Sequence, residues 1–402
     1  MIERKLLRNN SDLIESSLKK RGDKTDLKEL LELDTKLLNL TKEFEEKRSI
    51  QKKIKSFNDE AKLIKQEIEL INNQKQELEA TLKEKLSSIP NIIDDIVPVG
   101  KTADDNLEVK KWGETKIHDV PHYIISDKLT LKDEAIKLSG SRFIIFGPAL
   151  SKLAKVLVDY MIKMNEARGY ELYLVPSMVN KEALYGVGQL PKFKDDAFEV
   201  AHKDKWLIST AEVSLSNMFE GKTLKKEELP KKCMAYTSCF RSEAGSAGRD
   251  TRGLIRLHEF HKVELVTLST QEKSEEMHEK KKQAALDILE GLKIPYRVML
   301  LCSGDMGFSA KKQYDIEAWM PGMGRYLEIA SCSNCGDFQA KRMNIKYLDG
   351  EEKKYAHTLN GSALPVERLI AAIIENNMID ENSFAVPDVL VESLGFSKIS
   401  IN

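Results

Sequence analysis

Phe240 to Glu264 reads FRSEAGSAGRDTRGLIRLHEFHKVE. Alternating apolar residues on both sides of a segment carrying Gly245, Gly248 and Gly253 predict a strand, a mobile turn and an antiparallel strand. Strand side chains alternate between faces. Arg256, His258, Phe260, Lys262 and Glu264 therefore share one side, and Leu257, Val263 and Leu265 the other. The second side is a core face; the first is too polar to be buried without a ligand. Arg241 and Glu243, two residues apart, repeat the polar pattern on the first strand. An arginine forks onto phosphate or carboxylate, an aromatic plate stacks on a base, and spaced carboxylates accept from donors. Together they point to a nucleotide and a second charged substrate. A salt-bridged surface hairpin would account for any one of these residues but poorly for their joint arrangement.

Three further stretches stand in a fixed order around this one: TAEVSL at Thr210 to Leu215, YLEIASCSNCGDFQAKR at Tyr326 to Arg342, and HTLNGSALPVERLIAAIIEN at His357 to Asn376. With them, the opening stretch resembles motif 2 of the class II aminoacyl-tRNA synthetases, in the form found in seryl-tRNA synthetases of bacterial type. The resemblance extends over the amino-terminal third. It implies an α+β fold, a class II antiparallel sheet flanked by helices and preceded by an N-terminal antiparallel two-helix coiled-coil arm. The implied reaction is ATP-dependent activation of L-serine to seryl-adenylate, then transfer of serine to tRNA(Ser). Such chemistry needs positioning and charge neutralisation and no covalent enzyme intermediate. A site rich in arginine and carboxylate suits it.

Matched position by position, the resemblance implies that Arg241 bridges the α-phosphate and the serine carboxylate. Glu243 accepts from the adenine amino group, Phe260 stacks on the ring, Arg256 meets the γ-phosphate, and Arg368 covers the adenine and reaches the γ-phosphate. Arg241 and Arg368 are the expected catalytic pair. Ser242, Ile329 and Ala330 complete the ATP-binding stretches. Glu328 and Ser331 would hold Mg²⁺ between phosphates, a hard ion that takes oxygen ligands. Thr210, Ala211 and Glu212 would bind serine with Arg241, the Glu212 carboxylate suiting the ammonium group, while Glu264 and Ser362 take the side-chain hydroxyl. Thr210 and Glu212 are expected on a strand. Three departures from the family pattern stand out: Ser209 precedes TAE where proline is usual, EIAS replaces EISS at Glu328 to Ser331, and Ala363, Pro365 and Glu367 occupy places expected to hold small residues.

Composition sets the broader limits. A chain of 402 residues, 41% of them hydrophobic, has room for two or three domains and a substantial core. No run approaches the roughly 20 apolar residues that cross a bilayer, and MIERKLLRNN has no apolar signal region, so a cytoplasmic protein with no membrane role is expected. The odd set of five cysteines favours reduced thiols. Cys332 and Cys335 form a lone CxxC, which without a second pair does not call for zinc.

A net charge of −1 does not advertise nucleic acid, but between Lys47 and Lys65 seven basic residues face two acids. Leu30, Leu33, Leu37, Leu40 and Phe44 follow 3-4 spacing, as do Ile64, Ile68, Ile71, Leu78 and Leu82 after a break near Ser56 to Asp59. Two long helices, over about residues 26–88, should therefore form a projecting antiparallel coiled coil, the first from Asp26 to about Phe57. Residues 1 to 25 should form a short helical piece burying Ile2, Leu6, Leu7 and Ile14. The basic patch falls at the tip, and the resemblance makes Lys52, Lys53 and Lys55 candidates for tRNA phosphates.

Ser88 to Asp127 has linker composition, with Pro90, Pro98 and Pro121. The expected boundary is near residue 100, dividing a tRNA-binding domain (1–100) from a catalytic core (101–402). RFIIF at Arg142 to Phe146 and ELYLVP at Glu171 to Pro176 read as strands around a helix from Ala149 to Glu166. These resemble motif 1, which implies a homodimer. Glu272 to Leu292 reads as a further helix. Walker A and dinucleotide signatures are absent from the sequence. Two alternatives remain: a weak or silent paralogue acting as an RNA-binding protein, and an amino-acid:carrier-protein ligase, whose relatives lack the arm.

Overall fold

The computed structural model describes residues 1–54, 59–244 and 252–401, apart from the side chains of residues 60 and 61. Lys55 and the loop glycines Gly245 and Gly248 lie outside the described residues. The chain divides into two compact units, Met1–Ile92 and Ile93–Asn402.

The first unit is helical: α1 (Arg4–Asn9), α2 (Ser11–Lys20), α3 (Leu27–Lys53) and α4 (Asp59–Ser87). Asp26 caps α3 by accepting from the Lys28 N–H at 2.9 Å. Ion pairs between Lys85 and Glu29 and between Lys47 and Glu67 link α3 and α4, which run antiparallel. Leu30, Leu37, Leu82 and Leu86 bury against Ile2, Leu7, Ile14 and Leu18, so the 3-4 pattern and the leading helices share one core. The sequence reading missed Asp34, which is 1% exposed within α3. Arg4 and Arg8 of α1 both bond its carboxylate, supplying the counter-charge a buried anion requires.

The second unit begins upstream of the expected boundary near residue 100. Ile93 and Val97 pack with Met299, Leu301 and Met306, and the Ser303 N–H donates to Pro98 O at 2.8 Å, so apolar burial ties the proline-containing segment to this unit. Its centre is an eight-stranded sheet of β1 (Leu107–Trp112), β2 (Glu171–Leu172), β3 (Lys231–Phe240), β4 (Glu259–Ser269), β5 (Tyr296–Leu300), β6 (Lys312–Met320), β7 (Arg325–Asn334) and β8 (His357–Pro365). The spatial order is β1-β5-β6-β7-β8-β4-β3-β2, antiparallel except for the β2–β3 pair.

Helices α5 (Pro148–Glu166), α6 (Ser274–Gly291) and α7 (Val366–Asn376) contribute Leu153, Leu157, Ile288, Ile370 and Ile374 to the main core, which meets Val263 and Leu265 of the sheet. Pro148 sits in the first turn of α5, where a missing N–H costs little. No helix among the described residues is long and apolar enough to cross a membrane.

Several local expectations change. RFIIF is not a strand: its one ladder contact is the bridge from Phe146 to Thr130, and its carbonyls serve the Leu131 and His258 N–H groups instead. Only Glu171–Leu172 of ELYLVP pairs in the sheet, and Leu174 is 91% exposed. The second strand of the opening hairpin starts at Glu259, leaving Arg256 and His258 before it. His258 turns away from the polar face: its N–H donates to Arg142 O, and its ring lies near Phe143 and Phe198.

Candidate active site

Phe260, Lys262 and Glu264 of β4 project, as the alternation predicts, from the sheet face opposite Val263 and Leu265. They line a cavity of about 170 Å³ together with Thr210, Glu212, Arg241, Glu243, Arg256, Glu328, Ser331, Asn360, Ser362 and Arg368. Four sequence motifs separated by up to 158 residues thus meet in one place. Ala211 is fully buried beneath it, and Ser242 points its hydroxyl to Asp195 O at 2.6 Å, so neither side chain enters the cavity.

Two strands depart from strict alternation at the cavity wall. In β7, Glu328 pairs with Glu317 but Ala330 pairs with Ile316, so a bulge falls at Ile329. The extra residue reverses the phase. Ile329 and Ala330 both enter the core, and Glu328 and Ser331, three apart, both face the cavity. In β8, Ser362 pairs with Glu264 and Leu364 with Val263, which puts the same device at Ala363. Ala363 and Leu364 go to the core while Ser362 and Pro365 face the cavity. Leu364 adopts φ 117°, a region a branched side chain occupies only where its surroundings hold it. The departure at Ala363 sits at this bulge, whereas Pro365 follows it, paired with Lys262 at the N-cap of α7.

Arg241 and Glu243 lie just past the end of β3, not on it, and Glu243 has φ 53°. The turn still aims both inward. Glu243 pairs with Arg256 at 2.9 Å. The Arg241 guanidinium lies 5.1 Å from the Phe260 ring centre and, among the described residues, forms no ion pair. A cation resting on an aromatic face is available to an incoming anion. At the return of the motif 2 loop, Gly253 has φ 67°, and a Cβ there would sit 2.4 Å from His122 Nε2, so glycine is required.

Thr210 and Glu212 are not on a strand. Glu212 opens a short helix, Glu212–Asn217, and the Thr210 hydroxyl accepts from its N–H at 3.3 Å. Two residues that the sequence reading passed over hold the Glu212 carboxylate: Gln339 and Asn360 donate to it at 2.7 and 2.8 Å. Both stand inside the quoted motifs, which was the available signal. Burial pushes Glu212 up to about 7, against the pull of the Gln339 amide. Glu264, 2% exposed, accepts from Thr210 at 3.0 Å and Ser362 at 3.5 Å. Among the described residues its other partner is Lys262, 2.6 Å away.

Opposite Ser331 on the neighbouring strand β6 is Asp315, also overlooked. Burial and the neighbouring Glu328 charge push its carboxyl well above the ordinary range. Gln313 bonds both Asp315 and Ser331.

Arg368 donates to Ile255 O at 3.1 Å and Glu328 O at 2.8 Å, bracing the loop return against β7 while lining the cavity. Its neighbour Glu367, 2% exposed, accepts from the His261 N–H at 2.9 Å and bonds His261 Nδ1 at 2.8 Å. Glu367→Gly is expected to lower the melting temperature by removing charge-assisted bonds of about 1.5–3 kcal/mol. The Glu367 hydrogen bond raises the His261 pKa, so this stabilisation is complete below the ordinary histidine value and fades as pH rises through the folded one. Thermal melts from pH 5 to 9 check it; a gap between parent and variant that widens with pH would contradict the assignment.

Outside the cavity, Lys52 and Lys53 are exposed at the end of α3. Two other cations of the basic patch are engaged, Lys47 by Glu67 and Lys62 by Asp59 at 3.4 Å. All five cysteines are buried, and none is joined in a disulfide.

Residues 1–93 match the seryl-tRNA synthetase N-terminal domain, and residues 193–377 match the tRNA synthetase class II core domain (G, H, P, S and T). A serine--tRNA ligase of Wolbachia pipientis subsp. Culex pipiens is 44% identical, over 96% of each chain. One from Synechococcus sp. (strain RCC307) is 39% identical over the full length of both. Among solved structures, the seryl-tRNA synthetase of Pyrococcus horikoshii complexed with ATP superposes with a TM-score of 0.93 at 33% identity, covering 100% of this chain and 99% of that one. The cytoplasmic serine-tRNA ligase of Naegleria fowleri in complex with AMP gives 0.88 at 28% identity, covering 99% and 97%. Full-length identity at this level, a shared fold and motifs that converge on one cavity place the chain: it belongs to the seryl-tRNA synthetase family of class II aminoacyl-tRNA synthetases.

Proposed function

We propose that this chain activates L-serine with ATP and transfers it to tRNA(Ser). The observation that carries the reading is the charge layout of the cavity: a carboxylate held by neutral amides, a second carboxylate paired with a lysine, and an arginine resting on an aromatic ring. A serine carboxylate oxygen attacks the α-phosphorus, the bond to the β-phosphate oxygen breaks, and pyrophosphate leaves. The tRNA terminal hydroxyl then attacks the adenylate carbonyl and AMP leaves.

Arg241 meets both reacting anions, lowering the repulsion between them. Glu243 takes the adenine amino group and Arg256 the γ-phosphate, so nucleotide binding exchanges their mutual ion pair for two substrate contacts. Phe260 and Arg368 enclose the base, with Arg368 extending to the γ-phosphate. Glu212 receives the substrate ammonium, and Glu264 with Ser362 receives the hydroxyl.

The oxygens of Glu328 and Ser331 would suit Mg²⁺ as hard ligands, and both side chains line the cavity. When bound, the ion neutralises charge on the departing pyrophosphate. The reading includes no zinc, since Cys332 and Cys335 serve as buried thiols. Leu174 and the groove along α5 that contains Tyr236, His261 and Val366 fit a homodimer contact. The first unit is assigned to tRNA binding through Lys52, Lys53 and Lys55, in a cytoplasmic enzyme.

Pyrophosphate exchange with ATP across the twenty amino acids, then charging of total tRNA, tests the proposal. Exchange with serine and serylation of tRNA(Ser) are expected. No exchange with any amino acid would leave a silent RNA-binding paralogue, and exchange without charging of tRNA would leave a carrier-protein ligase. Arg368→Ala should raise the ATP Michaelis constant and cut exchange by two orders of magnitude or more. An unchanged ATP constant would remove Arg368 from the nucleotide site.

A further inference from the structure

The cavity contains two carboxylates whose partners differ in kind. Glu212 is held by the amides of Gln339 and Asn360 and, among the described residues, has no cation within ion-pair distance. Glu264 has the Lys262 ammonium 2.6 Å from Oε2, the same oxygen that accepts from Thr210 and Ser362. Lys262 is 6% exposed and lies on the cavity wall, one pleat along β4 from Glu264. Its position is fixed by the β8 register, in which Pro365 stands opposite Lys262 and Ser362 opposite Glu264.

We infer that Lys262 is a specificity-determining residue for the amino-acid side chain, an inference that rests on the serine-activating reading of this cavity. A lone buried carboxylate prefers a cation to a neutral hydroxyl, because charge-assisted hydrogen bonds are roughly twice as strong as neutral ones. Without Lys262 the slot at Glu264 would favour a side chain ending in ammonium, such as 2,3-diaminopropionate, which differs from serine only in having nitrogen for oxygen. With Lys262 in place, the Glu264 charge is already balanced. A hydroxyl can still donate to a free lone pair, whereas a second ammonium meets the lysine at close range and is repelled. Glu212, lacking such a partner, accepts the α-ammonium. One cation placed beside one of two acids thus sorts the two ends of the substrate.

Lys262 also offsets a buried charge, a structural role that would exist with no substrate. The two roles separate in a competition experiment. Serine-dependent pyrophosphate exchange by the parent is inhibited with 2,3-diaminopropionate and with alanine, which lacks any polar side-chain atom. The cationic analogue should bind more weakly than alanine; tighter binding overturns the inference without any variant.

In Lys262→Met, serine exchange should fall at least tenfold, and the kcat/KM ratio of 2,3-diaminopropionate to serine should rise 100-fold or more. Lys262→Arg, which keeps the charge, should hold the parent ratio within about threefold. A ratio unchanged in Lys262→Met, or one that moves equally in both variants, assigns the lysine to packing alone. A parent that shows no serine-dependent exchange removes the underlying reading as well, and is distinguished by that result.

Discussion

Glu212→Gln is expected to cut serine activation by two to three orders of magnitude and, above pH 7, to raise the melting temperature of the ligand-free protein. Both effects come from one carboxylate. Gln339 and Asn360 hold it in place without neutralising it, and in the proposed function the substrate ammonium supplies its counter-charge. A neutral amide leaves that ammonium desolvated and unpaired, a loss of about 3–5 kcal/mol.

Without serine the same carboxylate is a liability. Burial moves its pKa from 4.5 to about 7, so between those values the folded chain binds more protons than the unfolded chain and stability falls as pH rises. The full effect is roughly 3 kcal/mol, and glutamine removes it. In the parent, kcat/KM for serine should drop about tenfold per pH unit below 7, with the ATP constant little changed. A profile flat between pH 5.5 and 8, or a melting temperature that falls at pH 8 in Glu212→Gln, would take the ammonium away from Glu212.

The second large effect concerns the arm. Removing its outer part should abolish tRNA charging while leaving serine-dependent exchange within about twofold of the parent. The structure sets where to cut. Leu30, Leu37, Leu82 and Leu86 form one core with Ile2, Leu7, Ile14 and Leu18, so excising Leu30 to Lys85 would strip apolar cover from α1 and α2. Lys75 lies over the Phe44 ring across the hairpin, so joining residues 44 and 75 by a short Gly-Ser turn keeps that core intact. Loss of exchange on the scale of charging would mean that the arm serves activation too. Lys52→Ala with Lys53→Ala should separately weaken tRNA binding and flatten its salt dependence, since each phosphate contact adds to the slope. Lys47 and Lys62, already paired, should matter less.

Much of this layout is legible in the chain itself. The coiled coil can be read because 3-4 spacing survives over two helices. Phe260, Lys262 and Glu264 share a face because β4 keeps a strict period of two. Failures occur where a local rule is overridden. Thr210 and Glu212, two apart, look co-facial on a strand, yet the Glu212 N–H donates to the Thr210 hydroxyl and a helix begins at Glu212. RFIIF has strand composition, but its polar backbone is claimed by neighbours outside any sheet. Asp34 interrupts an apolar helix face because two arginines 30 and 26 residues earlier fold back onto it. Such long-range partners have no periodic trace.

The bulges at Ile329 and Ala363 also bear on how this site can vary over evolutionary time. Each is a one-residue dislocation in the sheet, and the two sit on adjacent strands in the wall of one cavity. A point substitution there alters one side chain, but deleting a single residue would rotate the whole remaining strand by half a period and exchange its wet and dry sides. The spacings from Glu328 to Ser331 and from Ser362 to Pro365 are therefore expected to resist one-residue deletion, which loss of fold in such a deletion variant would check. Substitutions within EIAS and SALPVE change single side chains, whereas shortening either stretch would exchange the cavity and core faces of the strand.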